Sequence, residues 1–205
     1  MMAKTVSVER LRGRPREYEE AEVIERAMQV FWTEGYSATS LPTLLAATKI
    51  SRSSLYAGFG DKHGIFLRAL DLYIQQALVR LDEDLNTDPD AMAGVQACID
   101  GYLLRTQGDA GKRGCLVVAT AMEMAAHDNE VSTRIDRFFK QLESRLAAAL
   151  KRAQQAGQVR SDTDPTSFAH LLVCLLEGNR VISKVGARHD ASAAAFKTLL
   201  AQISC

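Results

Sequence analysis

Residues Thr39 to Lys62 read TSLPTLLAATKISRSSLYAGFGDK, and the fold follows from this stretch. Ser40 stands where an N-cap belongs, ahead of Leu41, Leu44 and Leu45, which share one helical face at spacings of three and four. A break follows at Thr48-Lys49-Ile50. Ser51 then opens a second short helix, Ser51-Arg-Ser-Ser-Leu-Tyr56. Two short helices joined by a turn of three or four residues form a helix-turn-helix, whose second helix lies in the DNA major groove. Arg52, Ser53, Ser54 and Tyr56 can donate to base edges and phosphates, while Leu55 turns inward as the anchor.

Carried on to TSLPTLLAATKISRSSLYAGFGDKHGIF, the segment resembles the DNA-binding head of the TetR/AcrR family of bacterial transcriptional regulators. The resemblance rests on Thr39, Ser40, Ser51, Leu55, Tyr56, Phe59 and Lys62 in that order. Two positions depart from the family pattern. The usual Ala-Gly of the turn is Thr48-Lys49, so a lysine must take a conformation that glycine adopts freely. The small residue usual on the first helix is Leu45. The resemblance implies phosphate contacts from Thr39, Ser40 and Lys62 and sequence choice from Arg52, Ser53 and Tyr56. Ser51 and Ser54 complete the expected DNA-facing set.

Over its 205 residues the chain balances 25 Lys and Arg against 25 Asp and Glu, so no global basic field marks a nucleic-acid binder. Placement matters more than the sum. Lys4, Arg10, Arg12, Arg14 and Arg16 crowd the N-terminus against the single acid Glu9, and Lys49, Arg52 and Lys62 return positive charge to the helix-turn-helix. A local patch suffices for phosphate contact. Residues 1–16 carry no hydrophobic period and read as a flexible basic arm. Arg12, Arg14 and Arg16 are expected to track the backbone or enter the adjacent minor groove.

Outward from the head, the pattern is helical throughout, with no alternation of strand type. Helix 1 is expected from about Glu17 to Glu34, its stripe Val23, Ile24, Ala27, Val30 and Phe31 bracing the two motif helices and Gly35 stopping it. Phe31, Leu41, Leu44, Leu55 and Phe59 should form a small core. Asp61 caps a long helix from Lys62 to about Leu85, the natural lever between two domains. Asp88 with Pro89 signals a helix to about Thr106. Gln107–Gly114 reads as a loop, Cys115–Ala126 as a short apolar helix, and Asp128 or Asn129 opens a long amphipathic one that Gly157 closes. Asp164-Pro165 starts a further helix, apolar nearly all round from Phe168 to Leu176, and Asp190 opens the last. The expectation is an all-α protein of about nine helices: an arm (1–16), a three-helix head with the helix-turn-helix (17–64) and an effector-binding and dimerisation domain (65–205).

In the larger domain the last two helices carry more apolar surface than one chain covers. A symmetric four-helix bundle through Phe168, Leu171, Leu172, Leu175, Phe196, Leu199 and Leu200 would bury it, with Ala169 and Gly178 allowing close approach. The family dimerises in this way, and a twofold dimer suits a palindromic operator. Phe66, Tyr73, Tyr102, Cys115, Met122, Met124, Phe138, Phe139 and Leu142 are the candidate lining of a pocket for a small-molecule effector. Cys115 follows Lys112-Arg113-Gly114 at an expected helix N-terminus, where cations and the helix dipole favour thiolate. The segment Gly114-Cys-Leu-Val-Val, with Glu123-Met-Ala, resembles a subgroup in which some members sense electrophiles or oxidants through a cysteine near this point.

Nothing points to an enzyme. There is no phosphate-cradling glycine loop and no nucleophile elbow; Glu123 and His127 are the nearest pair to a metal spacing, and neither metal nor cofactor is expected. No apolar run approaches the roughly 20 residues of a membrane span. The N-terminus lacks a signal-peptide core, so a cytosolic protein with free thiols at Cys98, Cys115, Cys174 and Cys205 is expected. The reading is a homodimeric, ligand-responsive regulator, most simply a repressor released from double-stranded operator DNA when an effector shifts the lever. The alternatives are an electrophile-sensing repressor acting through Cys115 and a helical protein-interaction module without DNA binding.

Overall fold

The computed structural model describes residues 19–186 and 188–205. Among them ten α-helices follow one another: α1 Glu20–Glu34, α2 Leu41–Thr48, α3 Arg52–Phe59, α4 Lys62–Leu85, α5 Ala91–Leu104, α6 Gly108–Arg113, α7 Leu116–Met124, α8 Asn129–Gln155, α9 Pro165–Val185 and α10 His189–Ala201. All nine expected helices are present. The tenth, α6, occupies the stretch expected to be a loop; six residues with two glycines give no apolar period to read.

The caps show how local chemistry sets the boundaries. Ser40, Ser51, Asp61, Asp128 and Asp164 each accept backbone N–H bonds from the first turn of the helix they precede. Two starts differ from expectation. Asp90, not Asp88, caps α5, accepting from the Met92 and Ala93 amides at 2.8 and 3.0 Å, while the Asp88 carboxylate accepts from the Asp90 amide. In α10, Arg188 holds the cap position and Asp190 falls in the first turn, where its charge still favours the helix dipole.

α1, α2 and α3 pack around Phe31, Leu44 and Leu55, all buried, with Leu41 and Phe59 half-buried at the rim. α4, 24 residues and roughly 36 Å long, runs out of this head into the body, touching α1 and α3 at one end and α5, α7 and α8 along its length. α8 lies against α5, α7 and α9, and α6 rests on α9. A short pairing of Val159 with Ser204, with Arg160 N–H donating to the Ile203 carbonyl at 2.8 Å, ties the C-terminus to the α8–α9 loop.

Candidate nucleic-acid interface and buried polar cluster

α2 ends at Lys49, which sits at φ 57°, ψ 29° and is the one non-glycine residue at positive φ among those described. The turn therefore adopts the left-handed geometry usually given to glycine, with lysine paying the strain. Ser51 then caps α3, accepting from the Ser54 amide at 3.0 Å and pairing with the Ser53 and Ser54 hydroxyls at 2.8 and 2.9 Å. Leu55 is buried as the anchor. On the opposite side Lys49, Arg52, Ser53 and Tyr56 are exposed and Ser54 is half-buried. Between Glu34 and Asp61 there is no acidic residue, so this face presents positive charge and hydroxyls alone.

Two expected phosphate ligands are turned inward. The Thr39 side chain is fully buried, its hydroxyl donating to the Gly35 carbonyl at 2.6 Å. Lys62 donates to the Thr39 carbonyl at 2.6 Å and lies 4.4 Å from the centre of the Tyr36 ring. The Thr39 bond closes the α1–α2 loop on itself, and the Lys62 bond fastens that loop to α4. Ser40 is spent largely on its cap, bonded to the Thr43 amide and hydroxyl. Arg12, Arg14 and Arg16 lie outside the described residues.

In the body, the expected effector-lining residues separate into three groups. Phe66 packs edge-on to Phe31 at 5.0 Å and against Tyr36 at 4.8 Å, so it belongs to the junction of head and lever. Met122 is 85% exposed and lines no interior; nine residues of α7 left its helical phase undecided in the sequence. Phe138, Leu142 and Met124 are buried, and Phe139 packs half-buried against Phe138. Tyr73, Tyr102 and Cys115 form the third group. They meet two residues absent from the sequence-based expectation, Glu177 and Arg180 of α9.

The Tyr102 hydroxyl donates to Glu177 Oε1 at 3.3 Å, and the Arg180 guanidinium lies 4.4 Å from the Tyr102 ring centre. The Cys115 thiol sits beside the Tyr73 hydroxyl and the Glu177 carboxylate. Burial, and then the Glu177 charge, push the Cys115 thiol up, with Arg180 only partly opposing them. The expected thiolate is thus corrected. The two cations before Cys115 do not activate it, since Lys112 pairs with Asp109 and Arg113 lies over the Trp32 ring at 4.1 Å. Burial likewise raises Glu177, Tyr73 and Tyr102. Burial works against the charge of Arg180, but the surrounding Cys115, Tyr102, Tyr73 and Glu177 outweigh it and raise that group. The one sequence signal for this cluster was two opposite charges three apart in α9, just after its all-round apolar run.

Besides Arg113, which lies over Trp32 and donates to Gln29 Oε1 at 2.7 Å, further polar contacts fasten head to body. Glu123 of α7 accepts the Tyr36 and Ser37 backbone amides at 3.0 and 2.6 Å. The Trp32 indole donates to the Gly114 carbonyl at 3.0 Å, and His63 Nε2 meets Asp128 at 2.6 Å. Burial raises the Glu123 carboxyl, but the Ser37 and Tyr36 hydrogen bonds and the Lys62 charge lower it overall.

Residues 23–69 match the family model of bacterial regulatory proteins of the tetR family, and residues 91–199 match the tetracyclin repressor-like C-terminal domain, just over half the chain. The chain belongs to the TetR family. Among curated relatives, the HTH-type transcriptional repressor ComR of Escherichia coli (strain K12) is 27% identical over 187 residues, covering 89% of this chain and 88% of its own. The HTH-type transcriptional regulator YezE of Bacillus subtilis (strain 168) is 30% identical over 161 residues, 78% of this chain and 83% of its own. Among solved structures, a cysteine mutant of the TetR family regulator CifR complexed with 26-bp double-strand operator DNA superposes with a TM-score of 0.81 at 29% identity, over 93% of this chain and all of that one.

Along α9 and α10, where the dimer contacts are expected, part of the apolar surface is left uncovered. Leu171 and Leu175 are each 42% exposed, and Val181, Ile182 and Val185 continue the apolar strip along α9. A groove of about 400 Å³ runs between Leu175, Gly178 and Ile182 on one side and Phe196 and Leu199 on the other, and a Cβ on Gly178 would meet nothing within 4 Å. Phe168, Ala169, Leu172 and Leu200 instead point into the monomer, where all four are buried, and Phe196, also buried, reaches the groove only at its edge. Expected dimer contacts therefore narrow to the outer residues of the same two helices.

Proposed function

We propose that this TetR-family protein is a homodimeric repressor that holds a palindromic operator through α3 and leaves it when a small molecule binds in the body. The observation that carries this reading is the acid-free, cap-locked α2–turn–α3 unit at one end of α4, whose other end is packed among α5, α7 and α8. Lys49 and Arg52 supply charge to phosphates and bases, with Ser53, Ser54 and Tyr56 beside them; the arm residues Arg12, Arg14 and Arg16 extend the contact. Dimerisation through α9 and α10 sets two recognition helices at a fixed separation, which matches half-sites a whole number of turns apart.

Release follows from linkage. An effector that prefers one position of α4 shifts the spacing of the heads, and a coupling of about 1–3 kcal/mol lowers operator affinity roughly 5- to 150-fold. The protein works in the cytosol, where its DNA is; among the described residues no helix is long and apolar enough to cross a membrane. Sensing through Cys115 is disfavoured because that thiol is buried and held protonated.

The test is binding to DNA flanking the protein's own gene against scrambled DNA at two salt concentrations. Selective binding that weakens steeply with salt is expected, and Arg52→Ala should erase selectivity while leaving the dimer intact. Salt-indifferent, sequence-indifferent binding would refute the reading.

A further inference from the structure

Glu177 and Arg180 stand one turn apart on α9, their side chains each only 11% exposed, with Oε2 and Nε 3.7 Å from one another. That separation is too long for a hydrogen bond. Both atoms are fully buried and neither has a hydrogen-bond partner. A buried pair kept for stability alone closes its own hydrogen bonds, because each unsatisfied polar group removed from water is a penalty on folding. Here one N–H donor and one carboxylate oxygen stay unpartnered 3.7 Å apart instead. We infer that Glu177 and Arg180 are the polar anchor of the effector site, and that they take a small neutral molecule bearing a hydroxyl on an apolar frame. This deepens the effector-released repressor reading and rests on it.

The chemistry follows from the two atoms. Arg180 Nε can only donate, and ionised Glu177 can only accept. One oxygen that accepts from the first and donates to the second bridges a 3.7 Å gap with two ordinary hydrogen bonds, and a hydroxyl does both. The pair is neutral as a whole, so a carboxylate or ammonium ligand would bring a third charge into a buried place with nothing to balance it. An ether could satisfy Arg180 but not Glu177. Leu116 and Val117, which follow Cys115 in the chain, and Leu176, which precedes Glu177, are buried and apolar, in keeping with a hydrocarbon remainder.

The anchor also sits where a signal can leave it. Glu177 holds Tyr102 of α5 and lies beside Cys115, which follows the Gly114 carbonyl that accepts from Trp32. Tyr73 of α4, beside Cys115, packs edge-on to Trp32 at 4.9 Å. Trp32 is the only tryptophan in the chain, so its fluorescence reports on the anchor through Tyr73 and the Gly114 carbonyl.

The full-length protein is titrated with four probes on similar frames: 1-butanol, its isomer 1-methoxypropane, butyrate and butylammonium. Trp32 fluorescence and operator binding are read in parallel. A saturable Trp32 response to 1-butanol is expected, roughly tenfold or more tighter than to 1-methoxypropane and absent for the two ions. Glu177→Gln and Arg180→Met should each weaken it by a similar factor in variants that retain the circular dichroism of the parent. Equal response to alcohol and ether would overturn the proposal, as would preference for either ion. So would no saturable response to any probe, which means the pair is structural or bridged by water alone. Because the probe panel uses the unaltered protein, it decides even if the variants misfold. A saturable alcohol response in a protein that ignores operator DNA would leave the anchor standing and sink the repressor reading; the reverse would sink the anchor alone.

Discussion

Replacing Lys49 by glycine should stabilise the protein. Lys49 ends α2 at φ 57°, where an L-residue meets its following carbonyl at a penalty of roughly 1–2 kcal/mol. Glycine removes that strain but loses more freedom on folding, which returns roughly 0.4–1 kcal/mol. The lysine side chain is exposed, so little packing is lost. The net is a gain of about 0.5–1 kcal/mol, or a Tm rise of about 1–4 °C for a chain of this size. Thermal melts of Lys49→Gly and Lys49→Ala, followed by circular dichroism at one fixed protein concentration, isolate the backbone term. Both variants lose the side chain, but alanine keeps the strain, so the glycine variant should melt above the alanine variant and above the parent. Coincident melts for the two would refute the strain argument. Operator binding checks the side chain separately: if Lys49 contacts a phosphate, both variants should lose about 0.9 from the slope of log affinity against log salt.

Leu55→Ala should destabilise by about 2–5 kcal/mol, since Leu55 is fully buried and anchors α3; a Tm within 1 °C of the parent would contradict the packing described. Glu123 and Asp128 both titrate below the ordinary carboxylate range, Glu123 despite its burial and Asp128 chiefly through the Val131 amide. Their contribution is therefore present above the unfolded pKa values and lost as pH falls through the depressed ones. Glu123→Gln should flatten the acid limb of a stability–pH profile below about pH 4.5, and an unchanged limb would count against the head–body contact. In thiol labelling of the native protein, Cys205, which is exposed, should react well before Cys115 and Cys98, which are buried and whose thiols burial pushes up, Cys98 to about 12. Equal rates would restore the sensing role that the geometry removes from Cys115.

Local chemistry was the legible part of this chain. Ser40, Ser51, Asp61, Asp128 and Asp164 act within three residues of themselves, so their capping can be read without knowing what lies across the fold. α6 was hidden because tertiary packing on α9, not periodicity, holds it. Tyr73, Tyr102 and Cys115 could be picked out as interior residues from their helical faces, but their meeting with Glu177 and Arg180 joins residues up to 107 positions apart on four elements, and no spacing rule spans that. Two charges on a helix read as solvated until the neighbouring helices cover them. Thr39 and Lys62 erred the other way. Polar residues beside a DNA-facing helix look available, and only the fold shows the hydroxyl and the ammonium taken up by the Gly35 and Thr39 carbonyls.

Glu123 grips the head by its main chain, through the amides of Tyr36 and Ser37, with Gly35 at φ 83° letting the carboxylate approach where a Cβ would come within 3.2 Å of it. Such a joint asks little of the loop's side chains beyond the Ser37 hydroxyl, which also hydrogen-bonds the carboxylate. A recognition unit with other residues on α3 can be grafted onto this body and still be seated, provided the graft keeps the loop's length, its glycine and Ser37. Operator choice and effector choice are in that sense separately exchangeable parts, and a chimaera built at this seam inherits the joint without redesign of either side.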